Sequence, residues 1–181
     1  MAEILELGAD AVPCVEPLVG RYLTMLAGCR AATIETIKSL RFDLLYWRRS
    51  QFDSNISDLL YHVALVEADW LYVDVLQSAI PTELGPHLEY EDRDAQGRLV
   101  HIGTEELEAS VERLERVRAS LNRTFSTMDL GEFRRLRKSA RREVSPEWVL
   151  CYLLQHEAEH RGQINLLKRL GSEAERAAAR P

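Results

Sequence analysis

Four stretches of the chain, each roughly 25 residues, repeat apolar side chains at alternating three- and four-residue steps, and no run alternates as a half-buried strand does. The first spans about residues 14–40, with Val19, Tyr22, Leu26, Cys29, Thr33, Ile37 and Leu40 on one stripe. The second, about 54–78, opens on Ser54 and Asn55, both able to cap a helix. The third, about 104–128, takes Thr104 as its cap and carries Leu107, Val111, Leu114, Leu121, Phe125 and Met128, with Arg118 interrupting the seam. The fourth starts at Ser145-Pro146, a cap followed by proline at the first helical position, and should end before Gly171. At ~1.5 Å per residue each helix reaches on the order of 35 Å. Helices of that length and period predict an all-α four-helix bundle. Residues 79–103 are too many for a tight turn, so they read as a long crossover that makes helices 2 and 3 parallel.

The chain of 181 residues fits one domain, 1–181, with a core over about 14–170 and a frayed helical tail over about 171–181. A net charge of −6 argues against nucleic acid and anionic membrane surfaces as partners. The longest apolar run, "WVLCYLL", is far short of the ~20 residues a membrane span needs. The opening "MAEILELGADAV" is acidic where a secretory leader is basic, so a cytoplasmic location is expected. Cys14, Cys29 and Cys151 are odd in number and scattered, the usage of a reducing compartment. Each reads as a small buried hydrophobe.

The chemistry concentrates in "LLQHEAEHRGQI", residues 153–164. His156-Glu157-Ala158-Glu159-His160 satisfies H-E-x-x-H, a zinc-peptidase pattern in which Glu157 would be the general base. That reading lacks a placed third ligand, since Glu173 and Glu175 lie in the tail, and lacks a strand to bind substrate. The glutamates then read as solvent-facing. The core line of the fourth helix is Val149, Leu153, His156, His160, Gln163, Leu167, Leu170. On the second helix it is Leu59, His62, Val66, Asp69, Val73, Leu76. Three imidazoles from two helices thus aim into one interior. Buried polar groups are costly unless paired, and neutral imidazoles resolve that cost by ligating a divalent ion. His62, His156 and His160 are the expected metal ligands. Three histidines with an open fourth position suit catalytic zinc, although nickel, copper or iron accept imidazole too.

These residues resemble a known family. "HEAEHRGQI" is similar to the final-helix signature of DinB-like proteins, H-x-x-x-H-R-G-Q-I, and "ISDLLYHVALVEADWL" to their second helix. The matching positions are His62, Glu67, Trp70, His156, His160, Arg161, Gly162 and Gln163. The resemblance implies a four-helix bundle, often dimeric, with a metal on three histidines. It also implies a tie to enzymes that use mycothiol or bacillithiol, such as maleylpyruvate isomerase and S-transferases. The expected function is therefore a divalent-metal protein, zinc or nickel, that acts on a small molecule with a low-molecular-weight thiol. A metal-dependent hydrolase and a non-catalytic metal-binding protein are the alternatives.

Neighbouring residues carry lesser expectations. Glu67, Arg161 and Gln163 are candidates to steady the ligands from behind, with an interhelix salt bridge the plainer role for Glu67. Gly162 costs ~1 kcal/mol in a helix relative to alanine, which a close helix approach would justify. In "RRLRKSARR" six of nine residues are basic, and Arg135, Arg137, Arg141 and Arg142 are candidates to attract an anionic thiol. Tyr46, Trp47 and Trp148 form an expected apolar patch for a homodimer.

Overall fold

A computed structural model describes residues 12–51 and 53–179, so most of the acidic opening segment lies outside the described residues. The described chain is mostly helical, with one small two-stranded sheet. In chain order it forms α1 (Pro17–Ile37), α2 (Phe42–Leu45), α3 (Ile56–Asp69), α4 (Leu107–Phe125), α5 (Leu130–Arg134), β1 (Arg137–Lys138), β2 (Glu143–Val144) and α6 (Pro146–Ala178). No described helix is long and apolar enough to cross a membrane.

The ends of the long helices follow local chemistry. At the start of α3, Asn55 Oδ1 accepts from Asp58 N at 2.8 Å and Asp58 Oδ2 accepts from Asn55 N at 3.1 Å, a reciprocal cap. Ser145 Oγ accepts from Trp148 N, and Pro146 opens α6. Two expected boundaries move. The residue that caps α4 is Glu106 rather than Thr104, with no side-chain bond to the helix. α6 does not stop at Gly171 but runs through it to Ala178. A Cβ at Gly171 would meet Leu44 Cδ2 at 2.8 Å and Trp47 Cδ2 at 3.1 Å, so this glycine admits the α2 segment against the helix. Gly162, expected to do that work, has nothing within 4 Å of such a Cβ. Past Asp69, α3 loosens into a π-helical segment, Trp70–Val75, and the turn closes at Gln77 with a positive φ of 54°.

Paired contacts fix the helix directions. Cys29 meets Arg161 and Thr36 meets Lys168, a constant offset, so α1 and α6 run parallel. Leu114 meets Arg30 and Arg118 meets Leu26, so α1 and α4 run opposite. His62 with His156 and Trp70 with Trp148 make α3 and α6 antiparallel. Asp58 meets Ile102 just before α4, and Glu67 meets Arg118, so α3 and α4 run the same way. The core lies between these helices and includes Leu23, Leu26, Leu60, Leu71, Leu114, Leu121, Phe125 and Leu150, all fully buried.

The segment between α3 and α4 is pinned along α3. Tyr61 Oη donates to Tyr90 O and accepts from Tyr90 N, both at 2.8 Å. Asp58 accepts from His101 Nδ1 at 2.6 Å. Between these ties a small hairpin forms, with Arg93 bridged to Leu99 and Gly97 in the left-handed region at φ 77°. The hairpin presents Asp92 to the middle of α3.

Candidate functional site

The three histidines converge. His156 Nε2 lies 3.2 Å from His62 Nε2 and 3.1 Å from His160 Nε2, and one ligand atom from each ring fits within 4.8 Å of the others. The i, i+4 spacing stacks His156 and His160 on one face of α6, and the antiparallel packing of α3 brings His62 opposite. His62 and His156 are buried and His160 is half-buried. Burial, with the neighbouring rings His160 and His62, pushes the pKa of His156 down to about 3. Burial also lowers that of His160, against the upward pull of Gln163. Both rings are therefore neutral at pH 7, with lone pairs to offer.

The outer nitrogens are held. His62 Nδ1 donates to Asp92 Oδ1, and His160 Nδ1 donates to Gln163 Oε1 at 2.9 Å. Each bond directs the Nε2 lone pair of its ring towards the common centre. Burial would raise the Asp92 carboxyl, but its hydrogen bond to His62 and the neighbouring Arg93 outweigh burial and hold it low. Tyr152 stacks on the His156 ring at 5.6 Å, and Trp148 stacks on Tyr152 at 5.3 Å. Three converging imidazole nitrogens, two of them oriented from behind, fit a divalent ion well.

Other expected residues go elsewhere. Glu67 gives its oxygens to Arg118 and Arg30 at 2.7–2.9 Å, the salt-bridge role, and does not reach His62. Glu157, expected to face solvent, is buried and bonds Arg30 at 2.7 Å and Arg118 at 2.9 Å. Two buried guanidiniums draw it inward. It is thereby committed to an ion cluster, whereas Glu159 is exposed as expected. Arg161 turns to α1, donating to Cys29 O at 3.0 Å. Gln163 alone of the three supporting candidates touches a histidine.

The basic segment is likewise committed. Arg135 and Arg137 pair with Glu132, Arg141 with Asp69 at 2.7 Å, and Arg142 lies over the Trp70 ring at 3.9 Å and near Asp74. Of these, Arg141 lines a groove that also includes Asp92. In the expected dimer patch, Tyr46 is half-buried and bonded to Glu105, and Trp47 is half-buried against Gly171. Trp148 remains about half exposed, at 49%.

Asp92 was not foreseen. Its signal was available in "EDRDAQGRLVHI", where a D-x-x-G turn separates short extended pieces, but the pairing with His62 spans 30 residues and has no local periodicity. A hollow of about 420 Å³ opens between Leu59, Leu99 and the second half of α6, with His160 and Gln163 in its wall.

No curated protein matches the chain. A family does: residues 22–170, which hold the three histidines, Asp92 and Gln163, match the mycothiol-S-transferase model. The chain belongs to the mycothiol-S-transferase family, a DinB-like group.

Proposed function

We propose that the protein is a metal-dependent S-transferase that uses a low-molecular-weight thiol of the mycothiol type, with His62, His156 and His160 holding a zinc or nickel ion. The observation that carries this reading is the convergence of three Nε2 atoms in a chain of this family. A divalent ion bound there would supply Lewis acidity, favouring the thiolate form of a coordinating thiol near neutral pH. The chain's own residues prepare the place. Burial keeps His156 and His160 unprotonated at neutral pH, so protons do not compete for their lone pairs. Asp92 holds His62 and Gln163 holds His160 in the tautomer that exposes Nε2. Glu157, saturated by two arginines, plays no part as a base. Further parts of the proposal are a single four-helix bundle domain spanning 1–181, a cytoplasmic location and a homodimer that covers the exposed Trp148. Light scattering at micromolar concentration tests the dimer, and a monomer mass overturns it.

The test of function has two stages. Elemental analysis of the purified protein should find about one divalent ion per chain, the number one such site holds. Mycothiol should then be conjugated to an electrophile, with activity lost on chelation and restored by the ion. Cleavage of activated esters without any thiol conjugation would replace transfer by hydrolysis. A metal already saturated by protein ligands would remove the catalytic reading.

A further inference from the structure

We infer that the leucine-lined hollow beside His160 seats the electrophilic acceptor, an alkyl or aryl compound with its reactive carbon at the histidine end. The inference rests on the transferase reading above and assigns the acceptor class that reading leaves open. Because α3 and α6 are antiparallel, Leu59, one turn before His62, faces the part of α6 that follows His160. Leu99 of the hairpin and Leu166, Leu167 and Leu170 of α6 complete the walls. The volume of about 420 Å³ suits a molecule of one or two rings.

Of the charges at its rim, Arg93 meets Asp92 at 3.3 Å and Gly97 O at 2.9 Å, while Arg49 lies 3.6 Å from Asp53 Oδ2, which has no hydrogen bond. The hollow's polar inner end is His160 with Gln163. Leu166 leaves 46% of its surface in water, apolar area that a bound hydrocarbon body would cover. The neighbouring groove with Asp69, Glu89, Glu91 and Asp92 in its walls has none of the three histidines in its lining. An apolar body there would strip water from four carboxylates, against one, Asp53, in the leucine hollow. The two therefore differ in what they accept. In the transfer, the thiol releases its proton to solvent. Its sulfur forms the S–C bond as the bond from that carbon to its leaving group breaks, and the group departs with the electron pair.

The test uses the full chain loaded with zinc and two readouts. Chlorobenzene, an aryl probe inert to substitution here, is titrated into protein with labelled leucine methyl groups. Kinetics with mycothiol and 1-chloro-2,4-dinitrobenzene then give separate KM values for acceptor and thiol. Chlorobenzene should shift the methyl signals of Leu99, Leu166 and Leu167. Leu166→Trp, which fills the hollow, should weaken the probe about tenfold or more and raise the acceptor KM similarly. The thiol KM and metal content should stay unchanged. Leu166→Asp, which removes apolar surface at an exposed position without filling space, should give the same loss. Chlorobenzene that leaves these methyl groups unshifted, while conjugation proceeds, overturns the inference and spares the transferase reading. So does a Leu166→Trp enzyme whose thiol KM rises instead. Binding in the hollow with no conjugation of any electrophile overturns the transferase reading, and the acceptor role with it.

Discussion

Two polar clusters share α3 and α6 within two turns of one another: the imidazoles of His62, His156 and His160, and the ion quartet of Arg30, Glu67, Arg118 and Glu157. The quartet takes one residue from each of the four long helices and closes on itself. Both carboxylates lie between both guanidiniums, and the remaining guanidinium donors reach Leu114 O at 2.7 Å and Leu26 O at 2.9 Å. Its charges cancel and its hydrogen bonds are spent inside the protein. The triad is the reverse. It is uncharged where its pKa values are depressed, it is anchored from behind by Asp92 and Gln163, and its three Nε2 atoms converge. Neighbours in sequence, His156 and Glu157 thus belong to opposite kinds of cluster. A closed cluster specifies how helices assemble; a converging one leaves chemistry to be done. The H-E-x-x-H pattern arises here from their adjacency, with no peptidase arrangement behind it.

The sharpest separation should come from the triad itself. His62→Ala, His156→Ala and His160→Ala should each remove most bound metal while leaving a folded helical protein, read by elemental analysis and circular dichroism. Full occupancy in His62→Ala would show that α3 contributes no ligand. Glu157→Ala should do the opposite. It strips one partner from two buried guanidiniums and should cost about 3–5 kcal/mol in urea unfolding, with metal per folded chain unchanged. If metal is lost and stability is not, the two clusters have been assigned to the wrong roles.

In metal-free protein the quartet's share of the acid response is read by comparing Glu67→Gln with the wild type, because Asp92 and the triad histidines His156 and His160 change their titration on folding too. Burial would raise Glu67, but Arg118 and Arg30 outweigh it and hold its pKa below the ordinary 4.5. A carboxyl lowered on folding stabilises above its unfolded value and loses that contribution as pH falls through the folded one. Glu67 should therefore steepen the loss of stability below about pH 4.5, and Glu67→Gln, already weakened at pH 7, should show a shallower fall over that window. An equally steep acid limb in the variant would place the titration elsewhere.

A smaller effect is expected from behind the triad. Asp92→Asn should weaken metal affinity about 10–100-fold, measured by competition with a chelator, without altering stability in the absence of metal by more than about 1 kcal/mol. Unchanged affinity would make the hairpin a structural tie only. The least costly changes are at two glycines of α6, and they should differ in sign. Gly162→Ala meets open space and should stabilise by up to about 1 kcal/mol. Gly171→Ala drives a methyl into Leu44 and Trp47 and should destabilise by about 1–3 kcal/mol.

What could be read from the chain follows the range of the forces involved. Helical periodicity is local, so the stripe Val19, Leu26, Cys29, Thr33 and Ile37 was legible and is buried. The i, i+4 pair His156–His160 was legible for the same reason, as was the inward aim of His62. Arg118 was visible only as a break in an apolar seam. The reason for the break lies on three other helices, in Glu67, Glu157 and Arg30, and a charge interrupting one stripe does not reveal its partners.

By itself, then, the sequence determined where the long helices run, the buried stripe of α1 and the residues able to ligate a metal, because side-chain spacing along a helix is set by its 3.6-residue turn. Periodicity missed the buried face past His62, where Val66 and Asp69 are half-buried. Beyond them the π-helical segment shifts the phase, leaving Val73 half-buried and Leu76 exposed, and on α6 the exposed Gln163 was placed on the core line. Tertiary structure alone decided that Glu157 turns inward, that Asp92 reaches His62 across 30 residues, and that Gly171 rather than Gly162 receives a neighbour. Each of these depends on which charge or surface another helix brings alongside. That is a matter of helix direction and register, and neither is written in the periodicity of any one segment.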